Sequence, residues 1–274
     1  MAAWDPGILL AMPTLTIGDT AIAYDMAGVG RPLLLLHAGI VDRRMWDPVW
    51  EELCARFSVV RSDLRGFGGS SNPAGVHAHW RDAAGLLRGL GMGPVDVIGV
   101  SMGASAAVEL ALNAPDLVRR LVMVAPGIAG WKWAPSLTAA WKAEEAAYVA
   151  GELDEVAWIN VSTWLDGPHR GEGEVPAELR EFVFRMQREA LDLENDAATP
   201  ERPDPAWDKR LAEVTLPVLL LVGSHDQPDM VMIARHLAVS LPNARLEILP
   251  GVAHLPPMEA PAAFLAAVLP FLEG

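Results

Sequence analysis

One stretch constrains this chain more than any other: DVIGVSMGASAAVEL, residues 96–110. It opens as an apolar strand-like run and closes as a small-residue helical segment, with Ser101 at the corner between Gly99 and Gly103. A strand that turns at once into a helix holds its corner residue in a strained backbone conformation with the side chain exposed above the sheet. The residues two before and two after must be small, or strand and helix cannot approach. G-x-S-x-G alone arises by chance in about one chain in ten of this length, so the context carries the weight. Here the context agrees, because Ala104, Ser105, Ala106 and Ala107 let the helix pack close to a sheet.

The same strand-then-helix rhythm runs through most of the chain. Short alternating segments LTIG and AIAYD precede PLLLLHAG (32–39), a continuous apolar run suited to burial on both faces of a parallel sheet. A helix through Trp46 to Arg56 follows, then a strand at 57–64, a helix at 79–90, the strand at 94–101, a helix to Asn113 and a strand at 118–126. Between Gly130 and about Arg210 the rhythm stops: no strand-like run occurs there, and aromatic and acidic residues gather. Within it, residues 175–195 predict a helix, with Pro176 at its first position and Leu179, Phe182, Val183, Met186, Ala190 and Leu193 on one face. Strands at 216–223 and 244–251, a helix from Asp229 to Ser240 and a final helix over Pro256 to Leu272 complete the chain. The expected organisation is a core in two parts, 1–129 and 211–274, with a helical insertion at 130–210. Residues 1–11 match no part of this pattern, and a chain starting at Met12 is expected to fold.

Composition removes several function classes. With 274 residues, 51% of them apolar, the chain can bury a sizeable core. A formal charge of −14 without a basic cluster argues against nucleic acid and anionic membrane surfaces as partners. Cys54 stands alone, so no intrachain disulfide is possible, and MAAWDPGILLAM has no Lys or Arg before its apolar patch, unlike a secretion signal. No window reaches the roughly 18 uninterrupted apolar residues of a spanning helix. The expectation is a cytoplasmic protein acting on a small molecule, with its oligomeric state left open.

LLLLHAG, DLRGFGGS (63–70), GVSMGA, LVGSHDQPD (221–229) and LPGVAHLPPMEAP (249–261) together resemble the α/β-hydrolase family from about Pro13 to the C-terminus. The resemblance implies a mostly parallel eight-stranded sheet with helices on both faces and a helical cap inserted after strand six, with Ser101 on the nucleophile elbow. A serine hydroxyl needs a base to become nucleophilic. Family triads run nucleophile, acid, histidine along the chain, which points to Asp226 and His254, completing a Ser101–Asp226–His254 set. Asp229 competes as the acid, but its place just before MVMIARHLA suits a helix N-cap. Asp63 is read as tying its loop to Arg65. Among the other histidines, His37 matches a structural position near the oxyanion loop, His236 falls in a helix, His169 in the insertion and His225 beside the acid. His77 and His79 are two apart, not at the spacing of helical zinc ligands, and no H-E-x-x-H occurs, so neither a metal nor another cofactor is expected. For the oxyanion, the resemblance points to the N–H groups of Met102 and Gly39, with Ala38 standing where a glycine is commoner, so that Gly39 or Ile40 could point inward.

A serine nucleophile argues against the epoxide hydrolases and haloalkane dehalogenases of this fold, which use aspartate. The reading chosen is hydrolysis of a small carboxylic ester or lactone through an acyl-enzyme on Ser101. The alternatives are an enol-lactonase-like or carbon–carbon bond hydrolase, a cofactor-free haloperoxidase or perhydrolase and, from another class, a small-molecule receptor with a slow or vestigial triad. Trp131, Trp133, Trp141, Trp158 and Trp164 fall in the insertion and are expected to contribute to the substrate pocket.

Overall fold

The leucines of PLLLL have no exposure at all from Leu33 to Leu36, because their strand lies inside a sheet covered on both faces. In the computed structural model, which describes residues 13–171, 173–202 and 206–274, eight strands form that sheet. They are β1 (Thr14–Ile17), β2 (Thr20–Ala27), β3 (Arg31–Leu36), β4 (Phe57–Ser62), β5 (Val95–Val100), β6 (Val118–Val124), β7 (Val218–Gly223) and β8 (Ala244–Leu249). Their spatial order is β1-β2-β4-β3-β5-β6-β7-β8. The β1–β2 and β2–β4 pairs are antiparallel, and every other pair is parallel. A parallel sheet needs crossover helices, among them α1 (Asp47–Cys54), α2 (His79–Gly89), α3 (Met102–Asn113) and α7 (Pro228–Ser240); α8 (Pro256–Glu259) and α9 (Pro261–Glu273) follow the last strand. Helices α2 and α3 pack on each other, as do α1 and α9, so both faces of the sheet are covered. Among the described residues no helix is long and apolar enough to cross a membrane. Residues 1–11, and with them the expectation for a chain starting at Met12, lie outside the described residues.

Between β6 and β7 the chain leaves the sheet. It forms α4 (Pro135–Val149), α5 (Leu153–Asn160), a π-helical turn (Val161–Asp166) and α6 (Ala177–Leu191). Two details depart from the sequence reading. A short strand does occur there: Ala198–Pro200 pairs in parallel with Gly75–His77, joining the end of this segment to the loop before α2. Three residues are too few to give an alternating pattern. Helix α6 begins at Ala177 with Pro176 as its N-cap and ends before Leu193, which is exposed. Its buried face carries Val183, Met186, Ala190 and Leu191 and, among them, the polar Gln187.

Candidate active site

The β5–α3 corner shows why its glycines are glycines. Ser101 has φ 53° and ψ −111°, a left-handed conformation that a side chain rarely adopts. A Cβ on Gly99 would lie 2.2 Å from the Gly103 carbonyl oxygen, and one on Gly103 2.3 Å from that of Leu36. Both contacts are with backbone, so no rotamer change relieves them. The Ser101 N–H donates to the Val124 carbonyl at 2.8 Å, and its own carbonyl accepts from Ala104 and Ser105 N–H as α3 begins. The Met102 N–H, at the first helical residue, has no intrahelical acceptor.

Asp226 and His254 meet 28 residues apart in sequence, with His254 Nδ1 2.8 Å from Asp226 Oδ2. Both are almost wholly buried, at 1% and 2% exposure. The carboxylate can only accept, so Nδ1 carries the proton and donates, leaving Nε2 as the free base. The other Asp226 oxygen accepts the Gln227 N–H at 2.7 Å. Ser101, His254, Met102, Gly39, Ala38, Ile40 and Trp164 line one cavity of about 170 Å³. Ser101 and His254 thus open onto one space together with Gly39 and Met102.

The rejected candidates sit elsewhere, two of them with partners other than those expected. Asp229 lies inside the first turn of α7, whose N-cap is Gln227, and does not cap the helix. Its carboxylate reaches outward instead, accepting from the Trp131 indole N–H at 3.3 Å and the Ala134 N–H at 3.1 Å. It therefore moors the first residues of the insertion to the core. Asp63 does tie its loop, through the N–H groups of Arg43 and Gly69 and an ion pair with Arg43, not Arg65. Arg65 is paired with Asp82, both contacts being 3.0 Å. His37 is buried, with Nε2 accepting the Leu64 N–H and Nδ1 donating to the Ala38 carbonyl, each at 2.8 Å. Burial holds its pKa below the usual histidine range, so it stays neutral. His236 packs on Trp131, and His169 on His225. Among the described residues no three His, Cys, Asp or Glu side chains converge as metal ligands would.

Of the five tryptophans, Trp164 lines the Ser101 cavity, its ring 4.5 Å from that of His254. The other four correct the sequence expectation. Trp133 and Trp141 pack edge to face, Trp158 stacks on Phe184, Trp131 is held by Asp229, and Trp141 lines a separate hollow with Glu144 and Tyr148.

The His254 loop is also fastened in a way the sequence did not disclose. Glu259, in α8, accepts the N–H groups of both neighbours of His254, Ala253 at 2.8 Å and Leu255 at 2.6 Å, and forms a buried ion pair with Arg170 of the insertion. The π-helical turn adds two ties: Gln227 donates to the Thr163 carbonyl at 2.6 Å, and the His254 N–H to that of Trp164 at 3.3 Å. Only the nearness of Glu259 to His254 in sequence could have hinted at this clamp.

The comparisons with known proteins agree with the architecture. Residues 33–268 match the alpha/beta hydrolase family. The chain belongs to that family. It is 32% identical over 263 residues, 89% of this chain and 91% of the other, to a Caulobacter sp. (strain K31) protein provisionally named a carbamate hydrolase. It is 28% identical over 270 residues to the pimeloyl-[acyl-carrier protein] methyl ester esterase of Nitrosomonas europaea, covering 90% of this chain and 97% of that one. A thermophilic esterase from Thermogutta terrifontis superposes with a TM-score of 0.74 at 26% identity, covering 96% and 97% of the two chains.

Proposed function

We propose that the protein is a serine hydrolase that cleaves a small, neutral carboxylic ester or lactone, with residues 130–210 as a cap over the site. The observation that carries this reading is the Asp226–His254 hydrogen bond opening onto the same cavity as Ser101, on a left-handed corner. In the first half-reaction Ser101 Oγ attacks the carbonyl carbon while His254 Nε2 takes its proton. The N–H groups of Met102 and Gly39 hold the oxyanion, and Asp226 stabilises the imidazolium. His254 then hands the proton to the leaving oxygen. Water repeats the sequence from the acyl side and releases the acid. Trp164 beside His254 keeps the leaving-group side apolar.

A second reading is favoured by the 32% identical relative: the same groups would serve a carbamate, whose carbonyl is attacked in the same way. One experiment orders these choices. A fluorophosphonate should label Ser101, and Ser101→Ala should abolish labelling and lower turnover of p-nitrophenyl esters by at least about 10⁴-fold. Labelling that persists elsewhere, or binding of such esters without turnover, would overturn the enzyme reading. A higher kcat/KM for aryl carbamates than for matched esters would replace the ester by the carbamate.

A further inference from the structure

The Ser101 cavity, of about 170 Å³, lies beside a second one of about 340 Å³, and two residues line both: Gly39 and Met102. His254 and Trp164 line the first and not the second. Because His254 must face the leaving oxygen, the second space lies on the acyl side of a bound ester. What stands between an acyl chain and that space is the Met102 side chain. Its Sδ and Cε would lie 3.6 and 3.7 Å from a Cβ placed on Gly39, so the thioether runs alongside the oxyanion loop. Ser101 and Met102 are only partly buried, so both have surface to present to a substrate.

Volume sets what fits on the near side of that wall. A cavity of about 150 Å³ holds one benzene, so the Ser101 cavity has room for an ester group and only about three or four further carbons. A longer acyl chain meets the thioether first. Beyond it lies usable space, since Phe67, Ala190 and Leu191 are among the residues lining the second cavity, and carbons reaching them would leave water. Met102 thus has two separable parts. Its N–H belongs to the backbone and survives any change of side chain, whereas truncation to the β-carbon removes the wall and joins the two spaces.

We infer that the Met102 side chain, closing the passage beside Gly39, determines specificity by limiting the acyl group to about four carbons. This limit rests on the hydrolase reading above, and two ester series tell them apart. In the acyl series, methyl esters of straight-chain acids are lengthened from acetate to decanoate; in the alcohol series, acetate is kept and the alcohol lengthened. Acid release in a pH-stat gives kcat/KM for each. In the wild type, kcat/KM should fall by about tenfold or more from butanoate to octanoate, since a methylene that a pocket refuses is worth about that much. Met102→Ala should raise the octanoate-to-butanoate ratio by about tenfold or more and leave the alcohol profile where it was. Gly39→Ala adds a Cβ whose three nearest neighbours are Met102 side-chain atoms at 3.6–3.7 Å, an ordinary contact, and should lower the same ratio by narrowing the passage. The wild-type acyl profile decides by itself should either variant fold poorly. A wild type that prefers octanoate, an unchanged ratio in Met102→Ala, or equal shifts in both series would overturn the wall while leaving the hydrolase reading intact. No fluorophosphonate labelling and no turnover of any ester would remove both.

Discussion

The Ser101 corner and the helical insertion are held in place by different kinds of contact. At the corner, backbone meets backbone: the space beside Gly99 is closed by Gly103 and Ala104, and that beside Gly103 by the carbonyls of Leu36 and His37. In the insertion, side chain meets side chain, Trp133 on Trp141 and Trp158 on Phe184. Its links to the core around the site include polar ties, Asp229 on Trp131 and Ala134, Gln227 on Thr163, and Arg170 on Glu259, beside the Trp164 ring on His254. The difference teaches where precision resides. Main-chain contacts admit no rotamer alternatives and fix Ser101, whereas ring packing has many near-equivalent solutions.

The sharpest test of this contrast sets two buried aspartates near each other in sequence against one another. Asp226→Asn should lower ester kcat by about 10⁴-fold, because an amide can pair with the wrong imidazole tautomer. Asp229→Asn keeps an acceptor for Trp131 or Ala134 and should cost less than about tenfold, mainly in KM. Steady-state kinetics on one short-chain ester decides it, and the reverse order would move the acid to Asp229 and dissolve the distinction between the two regions.

Stability gives the next largest effect. Gly103→Ala places a Cβ 2.3 Å from a backbone oxygen, and should lower stability by about 3 kcal/mol or prevent folding. Trp158→Phe in the insertion keeps an aromatic face for Phe184 and should cost about 1 kcal/mol. Urea unfolding followed by circular dichroism reads both, and equal costs would mean that the corner is as forgiving as the helices.

Three histidines whose pKa is lowered by burial also make stability depend on pH. An unfolded imidazole takes its proton below about pH 6.5, whereas folded His79 does so only at about 3, and burial lowers His37 and His77 in the same direction. Between those limits the unfolded state holds more protons, so stability rises with pH and is lost as pH falls through 6.5 toward 3. His79→Gln should flatten the slope between pH 7 and pH 5 by about 1 kcal/mol, discounted for its partial exposure. An unchanged slope in thermal melts would show that His79 is protonated in the folded protein.

The smallest effect is long-range. Residues 130–210 contain 17 acidic and nine basic residues, a surplus of eight negative charges. Lys132, the basic residue between Trp131 and Trp133, is exposed and does not line the Ser101 cavity. A neutral ester should therefore exceed a matched carboxylate-bearing ester in kcat/KM by a few-fold at low salt. The gap should narrow once the Debye length falls below about 10 Å. A carboxylate preference at low salt that Lys132→Ala reverses would show that side chains of the insertion, not its net field, govern access.

The alternation of strands and helices, the corner at Ser101 and the helical segment between β6 and β7 were legible because each rests on local chemistry: apolar periodicity, small residues at fixed offsets, and turn residues at strand ends. Asp226 and His254 were nominated by the resemblance to the α/β-hydrolase family, each lying in a loop after one of the last two strands. The misread partners were those of Asp63, Asp229 and four tryptophans, whose neighbours are set by chain segments far apart in sequence. Arg170 and Glu259 are 89 residues apart, and Trp131 and Asp229 are 98 apart. No period or motif records such a pair. The sequence by itself determined the order of elements and the serine at a strand-to-helix turn, because apolar periodicity and small residues at fixed offsets are written along the chain. Only the tertiary structure decided that Glu259 grips both sides of His254 and that Trp164 alone of the five tryptophans lines the Ser101 cavity, because packing brings these groups together without regard to their separation along the chain.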